Sequence, residues 1–297
     1  MSSFGAKLAQ LTQSLTAADI FCGHGYESIH DEAVALLLCA AELAPEQTTD
    51  LLEHPFPDGA STRLSQMLRL RMEQRLPLAY VLGEAWLAGI RFRCDSRALV
   101  PRSPIAGVLL EACRPWWCAE GPPHTVVDLC CGGGSLGIIA AHIFPAATVL
   151  LTDIDEQALA LASENIDLTR TVDRIACCRA DLLSALATDS VDLIVANPPY
   201  VSAAEMTQLP PEYAHEPRGA LEAEEAGTAL AVAMLRDAAR VLSRDGLLVF
   251  EVGESAEALE RRLPRVPFTW VDLPQGGSGV AVASAQELQD WIAAGIL

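Results

Sequence analysis

Apolar residues crowd positions 30–43 at helical spacing, and Asp31 and Glu32 put negative charge near the start, where a helix dipole favours it. Leu64, Met67, Leu68 and Arg71 repeat the period in a more polar helix expected over 59–74. Pro77 opens a short segment that ends at Gly83. The period then changes. Ile90-Arg91-Phe92-Arg93-Cys94 alternates apolar and charged residues, as a half-exposed strand does, so 86–100 reads as a hairpin or strand pair. Val100-Pro101-Arg102-Ser103-Pro104 breaks the chain, and 105–113 returns to a helical pattern.

The remainder alternates strand and helix. Strands are expected over 125–130, 148–153, 174–180, 191–196 and 246–252, with helices over 135–144, 156–168 and 228–242. A strand pair, 268–273 and 279–283, precedes a last helix announced by the Ser284/Glu287 capping box. Repeated β-α units imply an α/β fold with a mostly parallel, doubly wound sheet. The chain therefore divides into a helical unit, 1–85, a hairpin linker, 86–100, and a catalytic unit, 101–297. The helical unit is assigned to substrate recognition, with a purely structural bundle as the alternative. No site chemistry is evident before residue 75.

Hydrophobic residues make up 51% of the chain, ample for a packed core, and the net charge is -19. Such acidity repels phosphate backbones and argues against direct nucleic-acid binding, while a basic protein partner suits it. Solubility alone would also explain it. The nine cysteines form no C-x-x-C, and Cys130-Cys131 and Cys177-Cys178 read as small hydrophobes in strands. That usage favours a reducing cytoplasm. The six histidines are scattered, so no metal site is expected. The start, Met1-Ser-Ser-Phe-Gly-Ala-Lys, carries no signal-peptide apolar core, and the uncharged run near 129–152 is broken by glycines, His142 and Pro145. A soluble cytoplasmic protein without membrane contact is the expectation; the sequence does not fix its oligomeric state.

Two motifs carry chemistry. Asp128-Leu-Cys-Cys-Gly132-Gly-Gly134-Ser-Leu-Gly137 is D-x-x-x-G-x-G-x-x-G between a strand and a helix. Glycines serve where a backbone turns tightly or approaches a ligand closely. The glycines alone would also suit a nicotinamide dinucleotide. With Asp128 inside the strand, the pattern resembles the Class I S-adenosylmethionine-dependent methyltransferases, which are Rossmann-like with a seven-stranded, mostly parallel sheet. That resemblance implies S-adenosylmethionine as cofactor. Asp128 would accept a bond from its ammonium, or else only hold the glycine loop. Asp153, closing the second strand, would take the ribose hydroxyls, with Asp155 as the N-cap of the next helix. Asp181 would meet the adenine amino group, or cap the turn at Leu182.

The second motif is Asn197-Pro198-Pro199-Tyr200, after the apolar run 191–196. Neither proline has an N–H to donate, so the strand ends in a stiff turn at the sheet's carboxyl edge. Such a turn can grip a planar N–H₂ group: the Asn197 side-chain oxygen and the Pro198 carbonyl accept its hydrogens, and Tyr200 walls the pocket. Pro199 and Arg102 complete the substrate-binding set, and Asn197 is expected to border the cofactor as well. A plain turn is the bland alternative.

Further segments narrow the reading. They are Arg75-Leu-Pro77-Leu-Ala-Tyr80-Val-Leu-Gly83 with Trp86 beyond it, Val100-Pro101-Arg102-Ser103-Pro104-Ile105-Ala106, and Leu209-Pro-Pro-Glu212-Tyr213-Ala-His215-Glu216-Pro217. With Asn-Pro-Pro-Tyr, they resemble the protein-(glutamine-N(5)) methyltransferases over nearly the whole chain, and within them the branch acting on a large-subunit ribosomal protein. The resemblance implies methylation of a glutamine in ribosomal protein three of the large subunit. Gly107 departs from the family, which usually has Glu there, so a carboxylate is expected to be missing near the cofactor edge. The acidic stretch 205–225 reads either as a steering surface for a basic substrate or as a solvated loop. Alternatives are a release-factor glutamine methyltransferase, an adenine-N6 nucleic-acid methyltransferase and a non-catalytic ribosome-assembly binder.

Overall fold

Ser3, whose side chain accepts the Ala6 N–H, starts helix α1 (Phe4–Ala17). The computed structural model describes residues 2–44, 51–171, 173–274 and 276–297. The expectations above did not include α1, although Phe4, Leu8, Leu11 and Leu15 lie on one helical face. Ser28 caps α2 (Ile29–Ala40), and α3 (Asp58–Leu68) runs on into a π-helical turn, Arg69–Glu73. The helix expected over 59–74 is thus two conformations in series. After α4 (Leu78–Leu82) the chain turns at Gly83, in the left-handed region. Phe4, Leu15, Leu36 and Phe56 belong to a core that is separate from those on the sheet.

The hairpin pairs β1 (Glu84–Leu87) with β2 (Ile90–Arg93). It starts before the expected segment, and the rest of that segment is loop. After α5 (Ile105–Leu110) come β3 (Thr125–Leu129), α6 (Ser135–Ile143), β4 (Thr148–Asp153), α7 (Glu156–Thr169), β5 (Ile175–Arg179) and β6 (Val191–Ala196). Then follow α8 (Ala229–Val241), β7 (Leu242–Glu251), α9 (Ala256–Arg262), β8 (Thr269–Trp270), β9 (Val280–Ser284) and α10 (Ala285–Ala293). Ser284 and Glu287 form the expected capping box at α10.

The seven strands run in the order β5-β4-β3-β6-β7-β9-β8. The first five are parallel, and β9 lies antiparallel to both β7 and β8. This is the Class I methyltransferase architecture expected from the glycine motif. Central strands read as unbroken apolar runs because both faces are buried. Val126, Leu151 and Val249 face one layer of helices, and Val127, Ile194 and Phe250 the other. The order reverses between β4 and β6 around β3, so a crevice opens at their carboxyl ends.

The cysteine expectation is half corrected. Cys177 is exposed and Cys178 half-buried because β5 is an edge strand. Among the described residues no helix is long and apolar enough to cross a membrane, and no cluster of ligating side chains would hold a metal.

Candidate functional site

The glycine loop forms one side of the crevice. Gly132 and Gly134 adopt φ of +52° and +79°, which allows the chain to turn from β3 into α6. The Gly132 N–H donates to Asp153 Oδ2 (2.9 Å), and the Gly137 N–H to Asp128 Oδ2 (2.7 Å). The motif's glycines divide by role. Gly132 and Gly133 line the cavity; Gly134 and Gly137 do not. A Cβ on Gly137 would stand 2.2 Å from Leu151 Cδ2, and one on Gly134 would stand 2.7 Å from Leu151 Cδ1. These two allow α6 to pack close on β4.

The cavity holds about 350 Å³. Asp128, Asp153, Asp181, Asn197 and Arg102 all reach it, each from a different segment. Burial pushes the Asp128 carboxyl up to about 7, against the pull of the Gly137 N–H. Burial also raises the Asp153 carboxyl, opposed by the N–H groups of Asp155 and Gly132. Asp128 holds the loop and also lines the cavity. Asp155 caps α7 by accepting the Gln157 N–H (2.8 Å). Asp181 follows β5 and makes no side-chain hydrogen bond among the described residues, so it caps nothing.

The proline turn forms the other side. Asn197 Oδ1 is buried and has no hydrogen-bond partner. Pro198 is buried and lines no cavity, whereas Pro199 does. Among the described residues no donor reaches the Pro198 carbonyl. Tyr200 does not reach the main cavity. It lines an adjoining slot of about 30 Å³ with Leu99, Val100, Arg102, Asn197 and Glu251. Its hydroxyl donates to Glu251 Oε1 (2.8 Å), and the Ser103 hydroxyl donates to Glu251 Oε2 (2.6 Å). Burial raises the Glu251 carboxyl despite these two donors.

Arg102 joins both spaces. Its guanidinium donates twice to Glu216 (2.8 and 3.1 Å) and lies 5.2 Å from the Tyr213 ring centroid. Glu216 Oε1 also accepts the Val100 N–H (3.0 Å), and His24 Nε2 stands 3.3 Å from Glu216 Oε2, an ion-pair approach without hydrogen-bond alignment. Desolvation pushes the Glu216 carboxyl up; His24 and Arg102 outweigh it and hold it down at about 2.

The acidic stretch divides: Glu212 and Glu216 are buried, whereas Glu205, Glu224 and Glu225 are exposed. Glu212 Oε1 takes Arg71 (3.2 Å), Arg75 (2.8 Å) and the Phe21 N–H (3.2 Å), while Arg71 also pairs with Glu32. Arg71, Glu32 and His24 therefore tie the helical unit to the segment that carries Glu212 and Glu216. Gly107 itself does not line the cavity, and a Cβ there would meet nothing within 4 Å. Sequence reasoning missed Glu251, Glu216 and His24 as parts of the site. The available signal was Glu251 itself, an acid ending a strand that reads as buried.

Comparison with known proteins bears on this geometry. Residues 118–215 match the family described as Methyltransferase small domain. Ribosomal protein uL3 glutamine methyltransferase of Francisella tularensis subsp. tularensis is 37% identical, over 92% of this chain and 87% of its own length. The protein of the same name from Xanthomonas campestris pv. campestris is 38% identical, over 93% of this chain and 89% of its own length. Among solved structures, the hMettl16 catalytic domain in complex with a 3'UTR hairpin superposes with a TM-score of 0.52 at 16% identity, covering 76% of this chain and 80% of that one, which speaks to fold alone. With that identity and coverage, the chain belongs to the family of ribosomal protein uL3 glutamine methyltransferases.

Proposed function

We propose that the protein transfers a methyl group from S-adenosylmethionine to the side-chain amide nitrogen of a glutamine in ribosomal protein uL3. One observation carries the reading: a buried carboxamide oxygen, Asn197 Oδ1, stands without a partner on a residue that lines both the large cavity and the small slot. An unpaired buried acceptor costs about 1–3 kcal/mol unless a ligand donor meets it. A primary amide presents two such donors on a flat group.

The residues present fit the cofactor. A 350 Å³ cavity lies in the range of small-molecule sites. Asp128 would hold the ammonium, since a buried carboxylate without a cation gains most from one. Asp153 would take the ribose hydroxyls and Asp181 the adenine amino group. S-adenosylmethionine, when bound, supplies an electrophilic methyl carbon on a sulfonium.

The chain's own work lies in the nucleophile. An amide nitrogen's lone pair is delocalised into its carbonyl. Asn197 Oδ1 accepts N–H bonds from the target amide, orients the nitrogen and favours its pyramidal shape, whereas the buried Pro198 lines neither space. Each bond is worth about 0.5–1.5 kcal/mol net. Alignment of nitrogen with methyl carbon carries more, up to ~7–11 kcal/mol in favourable systems. Arg102, held on both sides by Glu216, and Tyr200, held by Glu251, give the slot fixed walls. Methyl transfer to the nitrogen leaves a cationic amide that still carries both hydrogens; it is a strong acid and gives one proton to water, so no strong base is required of the site.

The helical unit and hairpin take up the ribosomal protein in this reading, no nucleic-acid surface is needed, and the work belongs to the cytoplasm. Incubation with methyl-labelled cofactor and methyl-deficient uL3, followed by peptide mapping, should place label on a single glutamine. Label on another residue type, or none at all, overturns the assignment.

A further inference from the structure

Asn165, on α7, is fully buried and uses its amide on every side. Its Oδ1 accepts the Arg93 N–H (2.7 Å), and its Nδ2 donates to the Arg93 carbonyl (3.3 Å) and the Gly133 carbonyl (2.9 Å). The carboxamide thus acts as an extra peptide unit. It closes a two-way pair with the end of β2 and fastens that pair to the glycine loop lining the cavity. Packing alone would not call for an amide on this face of α7, because its buried neighbours Leu161, Ala162 and Ile166 are apolar.

The neighbourhood repeats the connection. Arg97, at the cavity wall, donates to Glu164 Oε1 (2.7 Å) on α7. Ala98 packs with Ala158 and Leu161, and a Cβ on Gly132 would touch the Ala98 methyl at 3.5 Å. The hairpin itself has two strands of four residues each, and an isolated two-stranded hairpin is marginal in water. Its order depends on what holds β2.

We propose that Asn165 is a positioning residue that couples the cavity to the β1–β2 hairpin: a ligand seated against Gly132 and Gly133 fixes the Gly133 carbonyl, and Asn165 passes that restraint to Arg93. The coupling rests on the cavity being the cofactor site. It is reciprocal, so a substrate that grips the hairpin tightens cofactor binding by the same factor. The effect would commit the enzyme to bind both reactants together.

S-adenosylhomocysteine added to the full chain is the probe. Calorimetry reads its affinity, and hydrogen exchange reads residues 84–93. In the wild type, saturating probe should slow exchange of the hairpin amides by ~5-fold or more. Asn165→Asp keeps the acceptor for the Arg93 N–H but turns a lone pair toward both carbonyls. Asn165→Leu removes every bond at similar volume and serves should the Asp variant fail to fold. In either, the probe should bind ~5–50-fold more weakly, and hairpin exchange at saturation should no longer respond. A merely structural Asn165 would lower the melting temperature and leave the probe-induced protection intact. That result overturns the proposal, as does a wild-type hairpin indifferent to bound probe. A wild type that binds no probe removes the cofactor site itself, and the coupling with it.

Discussion

Two buried carboxylates flank the crevice and are held in opposite ways. Asp128, on the β3 side, has one backbone N–H and, among the described residues, no cation beside it, and burial pushes it up to about 7. Glu216, on the side of the proline turn, has Arg102, the Val100 N–H and His24, and is held down at about 2. One wall is left short of positive charge; the other is neutralised from within. The difference teaches where a ligand's charge belongs. A cation gains at Asp128, while the opposite wall, with its counter-charges already in place, suits a neutral amide.

Breaking the neutralised wall should have the largest effect on stability. Glu216→Ala orphans the Arg102 guanidinium and the Val100 N–H, at a cost of about 3 kcal/mol in denaturant unfolding. The wild type should also lose stability as pH falls from the ordinary 4.5 through about 2, because a depressed carboxylate supports the fold only while ionised. The step amounts to about 3 kcal/mol and should be missing from the Ala variant's pH profile. An unchanged profile would mean that Glu216 is not held by its partners.

The opposite wall should respond with the opposite sign. A raised carboxyl supports the fold below the ordinary 3.8 and loses that contribution as pH climbs through about 7. Asp128→Asn can still accept the Gly137 N–H without the buried charge. It should gain about 1–3 kcal/mol at pH ~8, net of burying an amide, while losing affinity for the cofactor. Loss of stability there would show that Asp128 already has a counter-charge.

The smallest effect separates two neighbouring acids. Asp155→Ala removes the N-cap of α7 and should cost about 1 kcal/mol, with cofactor affinity nearly unchanged. Asp153→Ala frees the Gly132 N–H and should weaken cofactor binding as well. Thermal melts and calorimetry on the pair check this, and equal losses of affinity would erase the distinction.

The contrast between the walls also marks what the sequence made legible. Asp128, Asp153, Asp181 and Asn197 each end a strand, and strand ends can be read from local apolar runs and the turn residues after them. Topology then brings four such ends to one edge. Gly134 and Gly137 were visible but their role was not, because it depends on Leu151 in another strand. The Glu216–Arg102 and Glu212–Arg71 pairs bridge 114 and 141 positions, and nothing local distinguishes a buried glutamate from a solvated one. Local reading likewise sees Cys177-Cys178 as interior, since only the strand order reveals an edge. Asn165 lay hidden for the same reason: its partners sit 72 and 32 positions away.

In the proposed reaction Asn197 grips the amide being methylated and contributes little to holding the cofactor. Asn197→Ala and wild type should be compared by calorimetry with S-adenosylhomocysteine and by single-turnover methyl transfer to uL3. The account predicts probe affinity within ~3-fold of wild type and transfer slower by ~10²-fold or more, as when a transition-state hydrogen-bond partner is deleted. Transfer at the wild-type rate, or a loss explained wholly by weaker probe binding, would contradict it.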